Sequence, residues 1–280
     1  MERTEPSAHV YGLRVHGLAL GDAAPRDIAP DWPSVRLEQA PRSAPSGVRI
    51  VDGDRYVNDL ADGLHTLEAT RSPAVARFLG PPIDPDELAH PYLGPVATLF
   101  ARWHGREAFH GGAFVHEGRA VAVLGSQFAG KSTLLAALAA SGSAIVADDM
   151  LVIEDGRVFV GPRTIDLRAE PGPELHGGAD IRRARGDQRW RVALSPVAAT
   201  TRLGAWVFLS PGDDVTLTPV GLADRLQRLA RWRALPGLAS DPAAMLALAG
   251  LPAWDLTHPR EWGAIPQTVR TLRGLPLTVG

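Results

Sequence analysis

Two groups of residues in this chain could bind a polyphosphate and act on it. The first group fits the motif G-x-x-x-x-G-K-[ST] and consists of Gly125, Ser126, Gln127, Phe128, Ala129, Gly130, Lys131, Ser132 and Thr133. In such a loop, backbone N–H groups surround phosphates and the lysine neutralises their charge. The second group, Asp148 and Asp149, ends the next apolar run along the chain.

The loop predicts ATP and Mg²⁺ as cofactors. We expect Lys131 to bridge the β- and γ-phosphates and the Ser132 hydroxyl to bind magnesium. Phe128 occupies a position where many such loops carry a second glycine. It is compatible with the motif, and it would either shade the nucleotide base or bias the conformation of the loop.

The two aspartates predict a second part of the same site. Neighbouring side chains at a strand end point to opposite faces, so one carboxylate would face the phosphates and the other the sheet surface or a loop. We interpret one as a carboxylate at the metal and the other as a base that accepts a hydroxyl proton. The alternative is a turn with two solvated aspartates.

The elements around these residues predict an α/β sheet. Residues 121–124 form a short, wholly apolar run, as in a strand covered on both faces. The loop then opens a helix over residues 132–140, whose first amides would point at the phosphates. Further predicted strands cover residues 107–115, 143–147, 203–210 and 254–257, with a hairpin over 151–160; further helices cover 95–103, 222–235, 242–249 and 265–273.

The chain divides by pattern into a β-rich region, residues 1–93, and a domain that contains the loop motif, residues 94–280. In the first part, residues 10–15 alternate as a strand, residues 48–57 predict a hairpin, and residues 73–79 predict a short helix. Residues 161–191 are polar and predict no regular element. Because they contain Arg182, Arg183, Arg185, Arg189 and Arg191, we interpret them as a flap over nucleotide or substrate; a solvated basic loop is the alternative.

Composition excludes several classes of function. The chain has 280 residues, a net charge of −2 and no cysteine, which rules out disulfides, thiolate metal sites and cysteine nucleophiles. The balanced charge gives no electrostatic reason to expect binding to nucleic acid or to a membrane. The N-terminal residues lack the apolar segment of a signal peptide, so a cytoplasmic location is expected. The histidines at 9, 16, 65, 90, 104 and 258 are expected to be structural or exposed.

Residues 107–155 resemble the bacterial HPr kinase/phosphorylase family and its HPr-kinase-like relatives. The resemblance rests on Phe109-His110-Gly111-Gly112 before the nucleotide strand, on the loop motif, and on Val146-Ala147-Asp148-Asp149. It implies a P-loop sheet of the HPr kinase/phosphoenolpyruvate carboxykinase type, here with a small β-rich N-terminal region. The N-terminal segment itself does not look like the N-terminal domain of the parent enzymes.

The resemblance also implies roles for single residues. Asp148 would be the general base, Asp149 its neighbour at the metal, and His110 would lie beside the reacting groups. Glu174 would be a second magnesium ligand, because the sequence that it begins partly matches a later signature of the family; a solvated loop glutamate is the alternative. The implied acceptor is a serine or threonine of a peptide or small protein, such as the precursor of a ribosomal natural product, and the implied assembly is a homo-oligomer.

Two other functions remain open from the sequence. A kinase with the same nucleotide site could act on a small alcohol or sugar, which would need residues 161–191 to form a closed pocket. A nucleotide-dependent regulator would bind and slowly hydrolyse nucleotide without an acceptor. No N-K-x-D guanine motif is present, but the sequence does not decide between ATP, GTP and pyrophosphate, or whether phosphorylase activity exists.

Overall fold

The fold was obtained as a computed structural model. It describes residues 5–25, 31–41, 47, 49–168, 175, 181–184 and 189–277. The strands are β1 Ser7–Val10, β2 Leu13–His16, β3 Ser34–Ala40, β4 Ile50–Val51, β5 Arg55–Asp59, β6 Thr66–Thr70, β7 Val75–Leu79, β8 Glu107–His116, β9 Arg119–Gly125, β10 Ile145–Ala147, β11 Met150–Glu154, β12 Arg157–Phe159, β13 Thr164–Leu167, β14 Ile181–Ala184, β15 Arg189–Ala193, β16 Thr200–Pro211, β17 Thr216–Pro219 and β18 Ala253–His258. The longer helices are α1 Leu93–Trp103, α2 Lys131–Ala140, α3 Leu222–Trp232, α4 Pro242–Ala249 and α5 Ile265–Arg273.

The strands form three sheets, and the chain is a mixed α/β protein, as predicted. A seven-stranded sheet has the order β1-β2-β3-β7-β6-β5-β4. An eight-stranded mixed sheet contains β8–β12 and β16–β18, in which β9 lies antiparallel to β8 and parallel to β16. The order in the third sheet is β13-β15-β14.

The eight-stranded sheet is covered on both faces, which explains its uninterrupted apolar strands. Along β9, Val121 and Val123 pack into one hydrophobic cluster with α2 and α5. The alternating neighbours, Ala122 and Leu124, pack into a second cluster with α1 and strands of the seven-stranded sheet. The β-rich N-terminal region thus shares a core with the strand that leads into the loop motif. The division at residue 93 stays a prediction.

Three predicted elements differ from the structure. Residues 10–15 are two strands and a tight turn, because Tyr11 and Gly12 both have positive φ values. Residues 75–79 form strand β7, paired with β3 and β6, instead of a helix. The described part of residues 161–191 contributes β13, β14 and the first residues of β15, and the hydrogen bonds between these strands stabilise the small sheet despite its polar sequence.

The hairpin predicted at residues 48–57 is confirmed as β4 and β5. Each helix predicted at residues 95–103, 132–140, 222–235, 242–249 and 265–273 is present within a few residues of its predicted bounds. Within the described part of the chain, no helix combines the length and the apolar character needed to cross a bilayer.

Candidate functional site

The loop motif lies where three parallel strands end. Strand β9 ends at Gly125, which pairs with Leu209 of β16, and β16 continues to Pro211, which pairs with His258 at the end of β18. Ligands of open α/β sheets bind at the carboxyl ends of such strands. Residues 125–133 therefore lie at the edge of the sheet where such ligands bind.

The loop turns sharply into α2 through a glycine. Gly130 has a φ of 94° and precedes the helix without a side-chain cap. The N–H groups of the first helical turn have no partner within the helix, so this end presents donors and a partial positive charge. Leu134 donates to the Gly130 carbonyl at 2.9 Å, which closes the first turn.

A buried histidine supports the loop from β18. His258 Nε2 donates to the Ala129 carbonyl at 3.0 Å. A Cβ at position 130 would lie 3.2 Å from the His258 ring, a tight contact, and the φ of 94° already favours glycine there. Sequence reasoning placed His258 among the structural or exposed histidines and did not connect it with the loop. Its one local signal is its place directly after the strand predicted at residues 254–257.

Lys131 is folded over its own loop. Its Nζ donates to the carbonyls of Gly125 at 2.8 Å and Ser126 at 2.9 Å. Burial lowers the pKa of the ammonium, and the charges of Asp148 and Asp149 oppose that shift. Lys131 is also the only lysine of the chain; the other basic positions are arginines and histidines.

Asp148 lies on the loop side of the site. The Ser132 hydroxyl donates to its Oδ1 at 3.1 Å, and the residue is only 4% exposed. Burial raises the pKa of the Asp148 carboxyl, and the neighbouring charge of Asp149 adds to the rise, whereas His90 and the Ser132 hydroxyl work against it. This buried carboxylate is thus poised to take up a proton.

Asp149 faces a different direction from Asp148 because the chain turns between β10 and β11, where the φ of Asp149 is 72°. The predicted cause, alternation along a strand, does not apply to these two residues. Its Oδ1 lies 3.8 Å from Nδ1 of His110, and the two side chains are 36% and 50% exposed. His110 is therefore beside Asp149 in the structure. The structure brings Lys131, Ser132, Asp148, Asp149 and His110 to one end of the eight-stranded sheet, with a buried carboxylate and a solvent-facing one.

Gly112 in β8 explains how β8, α2 and the end of β10 can pack closely beside Asp148. A Cβ at Gly112 would lie 2.8 Å from the Ala147 carbonyl oxygen and 2.3 Å from Cδ1 of Leu135. Strand β8 can therefore pass between α2 and the end of β10 only with glycine at this position. Because Ala147 precedes Asp148 directly, this contact sets the position of the buried carboxylate.

The donor set fits a magnesium ion held together with a polyphosphate. The Ser132 hydroxyl and the carboxylate oxygens of Asp148 and Asp149 include the hard oxygen donors that Mg²⁺ prefers. Among the residues that the structure describes, no group of three or more His, Asp and Glu side chains could hold a metal ion alone. Mg²⁺ usually keeps several waters and binds through one or two carboxylates plus substrate phosphates, so two protein ligands would suffice if the loop bound phosphates.

Other predicted site residues lie apart from this cluster. Glu174 and Arg185 lie outside the residues that the structure describes, so their predicted roles stay predictions. Arg191 is buried and bonds to Asp166 at 2.7 Å, and Arg182 lies 3.2 Å from Asp86. The guanidinium of Arg183 stacks on Trp190. These described arginines take part in packing of the small sheet, and a covering flap stays a prediction.

Phe128 is exposed at the tip of the loop. Its side chain is 63% exposed and its φ is 64°, an unusual conformation for a bulky residue. The guanidinium of Arg168, at the end of the small sheet, lies 5.1 Å from the centre of its ring. Sequence reasoning did not single out Arg168, and nothing in the local sequence marks it as a neighbour of the loop.

Comparisons with known proteins add a structural similarity. No protein-family model matches the chain, and no curated protein matches it. Among solved structures, the chain is similar to the HPr(Ser) kinase/phosphatase from Coxiella burnetii. That match has 17% sequence identity and a TM-score of 0.31, and it covers 59% of this chain and 90% of the other. At this score, the similarity supports no conclusion about the activity of the chain.

Proposed function

We propose that this protein is a phosphotransferase that moves the γ-phosphoryl group of ATP to a hydroxyl group. The observation that carries the proposal is a hydrogen bond from the hydroxyl of Ser132 to the buried carboxylate of Asp148. Ser132 directly follows the loop lysine. A loop of amides, a lysine, a hydroxyl and a carboxylate together supply the positioning and charge neutralisation that phosphoryl transfer needs.

Each residue of the cluster has a role in this proposal. The first-turn amides of α2 and the Lys131 ammonium would bind the phosphates. To do so, the lysine would leave the carbonyls of Gly125 and Ser126, to which it donates in the structure. Ser132 and an aspartate would hold magnesium, which when bound neutralises charge on the phosphates. Asp148 would accept the proton of the attacking hydroxyl, a task favoured by a raised carboxyl pKa.

The exposure of the site favours a macromolecular acceptor. Asp149 and His110 are partly exposed, so an acceptor hydroxyl could reach the carboxylates from solvent. A serine or threonine in a peptide segment is exposed enough to do so. The resemblance of residues 107–155 to serine kinases points the same way. We therefore include a peptide or small protein as the acceptor class.

The test is a transfer assay with γ-³²P-ATP and Mg²⁺. Purified protein is incubated with serine- and threonine-containing peptides, with small alcohols and sugars, or with no acceptor. We expect label in a peptide, with none in the reaction that lacks magnesium. Label only in a small alcohol would replace the peptide acceptor by a metabolite. Hydrolysis or tight binding of ATP with no labelled product would contradict the kinase and favour a nucleotide-dependent regulator.

Asp149→Asn and Ser132→Ala are the variants that resolve the metal site. If both residues help to hold magnesium, both variants should need a higher magnesium concentration for half-maximal transfer. If a variant lowers the maximal rate but needs the same magnesium concentration for half-maximal transfer, the substituted residue does not bind the metal. Glu68→Gln, in β6 of the seven-stranded sheet, is a matched control for loss of one carboxylate.

A further inference from the structure

The hairpin of β1 and β2 has an unusual residue at its tip. Val10 pairs with Leu13, so Tyr11 and Gly12 form a two-residue turn. Their φ values are 55° and 76°, the pattern of a type I′ turn, in which asparagine, aspartate or glycine normally takes the first position. A tyrosine there adopts a backbone conformation that costs free energy. Its side chain must therefore contribute something that keeps the turn in place.

The side chain of Tyr11 runs from this turn into the candidate site. The residue is 1% exposed, and its hydroxyl donates to the backbone carbonyl of Asp148 at 2.9 Å. Its own N–H donates to the Val160 carbonyl at 2.7 Å. A Cβ at Gly161 would lie 3.0 Å from Cε1 of the ring, so the glycine after Val160 leaves the space that the ring occupies.

The acceptor of this hydrogen bond is itself part of a strained turn. The Asp148 carbonyl also accepts from the N–H of Met150 at 2.9 Å, an i to i+2 contact that makes Asp149 the central residue of a γ-turn. The φ of Asp149 is 72°, the rare and strained form of that turn. The N–H of Gly111 donates to the Asp149 carbonyl at 3.1 Å and holds the peptide group that follows Asp149.

We propose that Tyr11 is a positioning residue that holds the Asp148–Asp149 γ-turn, and with it the divergent arrangement of the two carboxylates. This inference rests on the proposed function for its effect on catalysis. The Tyr11 hydroxyl orients the peptide group between the two aspartates, on which the direction of both side chains depends. Without it, Asp149 can relax to a negative φ, which swings its carboxylate away from His110 and shifts Asp148 relative to Ser132.

Tyr11→Phe removes the hydroxyl and keeps the ring. We expect kcat for phosphoryl transfer to fall about ten- to a hundredfold, the size of effect typical of a small misplacement of reacting groups. KM for ATP should stay within about twofold, because the loop that binds phosphate is unchanged. Tyr56→Phe is the matched control: Tyr56 is also buried, lies in β5 of the same sheet, and its hydroxyl is beside Asn58. It should leave both constants unchanged.

A second readout does not depend on any activity. In NMR spectra of the protein without nucleotide, the amide signals of Met150 and Gly111 should shift in Tyr11→Phe, and the Met150 amide should exchange with solvent at least tenfold faster. Signals from the rest of the eight-stranded sheet should stay in place, which would show that the variant folds.

The two readouts separate the inference from the proposed function. If the wild-type protein transfers no phosphate but Met150 exchange rises in the variant, the kinase is wrong and the role of Tyr11 in the turn stands. If Met150 exchange is unchanged, or if Tyr11→Phe transfers phosphate at the wild-type rate, the positioning role is wrong. An equal loss of kcat in Tyr56→Phe would also overturn it.

Discussion

At the scale of single residues, the site is built around a carboxylate that the fold would hold more easily as a neutral group. Asp148 is buried beside Ser132, and burial raises the pKa of its carboxyl. Proteins often keep such a group at a position where its reactivity is needed. The cost should be visible in the stability of the fold, independently of any substrate.

We predict that Asp148→Asn raises the stability of the fold at neutral pH. A carboxyl whose pKa is higher in the folded than in the unfolded state destabilises the fold as pH rises through the interval between those two values. Asparagine keeps the oxygen that accepts from Ser132 but has no charge to desolvate. Urea unfolding at pH 7 should give a larger free energy for the variant.

The pH dependence provides the control for this prediction. Near pH 4, close to the ordinary pKa of about 3.9 for an aspartate, the difference between variant and wild type should shrink. A variant that is less stable than wild type at pH 7, or a difference that does not change with pH, would mean that the Asp148 carboxylate is compensated by its neighbours.

Lys131 offers a second test at this scale because the chain has no other lysine. Burial lowers the pKa of its ammonium, so we expect an amine-reactive acetylating reagent to modify it at a lower pH than an ordinary lysine. Mg²⁺ and ATP should slow that modification at least tenfold, as measured by mass spectrometry of the peptide that contains Lys131.

Acetylation of the α-amino group in the same sample, where that group is free, serves as the internal control and should not respond to nucleotide. Equal labelling of Lys131 with and without Mg²⁺ and ATP would contradict a phosphate-binding role for the loop.

At the scale of elements, the site depends on how closely β8, α2 and the end of β10 approach one another. Gly112 is the contact point, since a side chain there would meet Leu135 of α2 and the Ala147 carbonyl. This packing is as specific to the site as the charged residues are, because it determines where the chain turns into Asp148.

We predict that Gly112→Ala destabilises the fold by about 1–3 kcal/mol, the usual cost of forcing extra atoms into a packed interior. Transfer activity should fall by more than the loss of folded protein explains, because the methyl group displaces the residue before Asp148. Gly53→Ala is the matched control, since a Cβ at Gly53 has no heavy atom within 4 Å. Denaturant unfolding of both variants measures the effect, and equal stabilities would contradict it.

Most elements around the loop could be predicted from the sequence, because their signals are local. The apolar strand at residues 121–124, the leucine- and alanine-rich helix after the loop and the aspartates after the next strand all follow from short patterns. Local signals were insufficient at residues 73–79. The spacing of Val75, Phe78 and Leu79 also suits a helix, but residues 75–79 form a strand because they pair with β3 and β6.

The parts of the site that could not be predicted join residues far apart in the chain. The contact of Tyr11 with Asp148 spans 137 residues, and that of His258 with Ala129 spans 129. A tyrosine before a glycine carries no turn signal as strong as Asn-Gly, so the hairpin at residues 10–13 resembled one strand. Only the assembled sheets bring these side chains to the loop.

At the scale of the whole molecule, the β-rich N-terminal region and the remainder share one core. The same hydrophobic cluster contains Val10, Leu37 and Phe78 of the seven-stranded sheet and Leu99 and Trp206 from the rest of the chain. Through its hydrogen bond to the Asp148 carbonyl, Tyr11 also joins the N-terminal region to the candidate site. We therefore expect the two predicted regions to fold as one cooperative unit.

This expectation predicts that residues 94–280 do not fold alone. Removal of residues 1–93 would expose the face of α1 that packs against the N-terminal sheet, and exposed apolar surface of this kind costs about 25 cal/mol per Å². Circular dichroism during heating should show no cooperative transition for the shortened chain and one cooperative transition for the full chain. A cooperative transition in both would establish residues 94–280 as an independent domain.

The central claim is that Asp148 accepts the proton when a hydroxyl attacks ATP bound at the loop. It is tested most directly by single-turnover transfer of γ-³²P-phosphate in wild type and Asp148→Asn, with ATP affinity measured on the same samples. We predict transfer in the wild type, a loss of about 10³-fold or more in the variant, equivalent to about 4 kcal/mol in the barrier, and ATP affinity within a few-fold of wild type. Transfer by Asp148→Asn at the wild-type rate would contradict the claim.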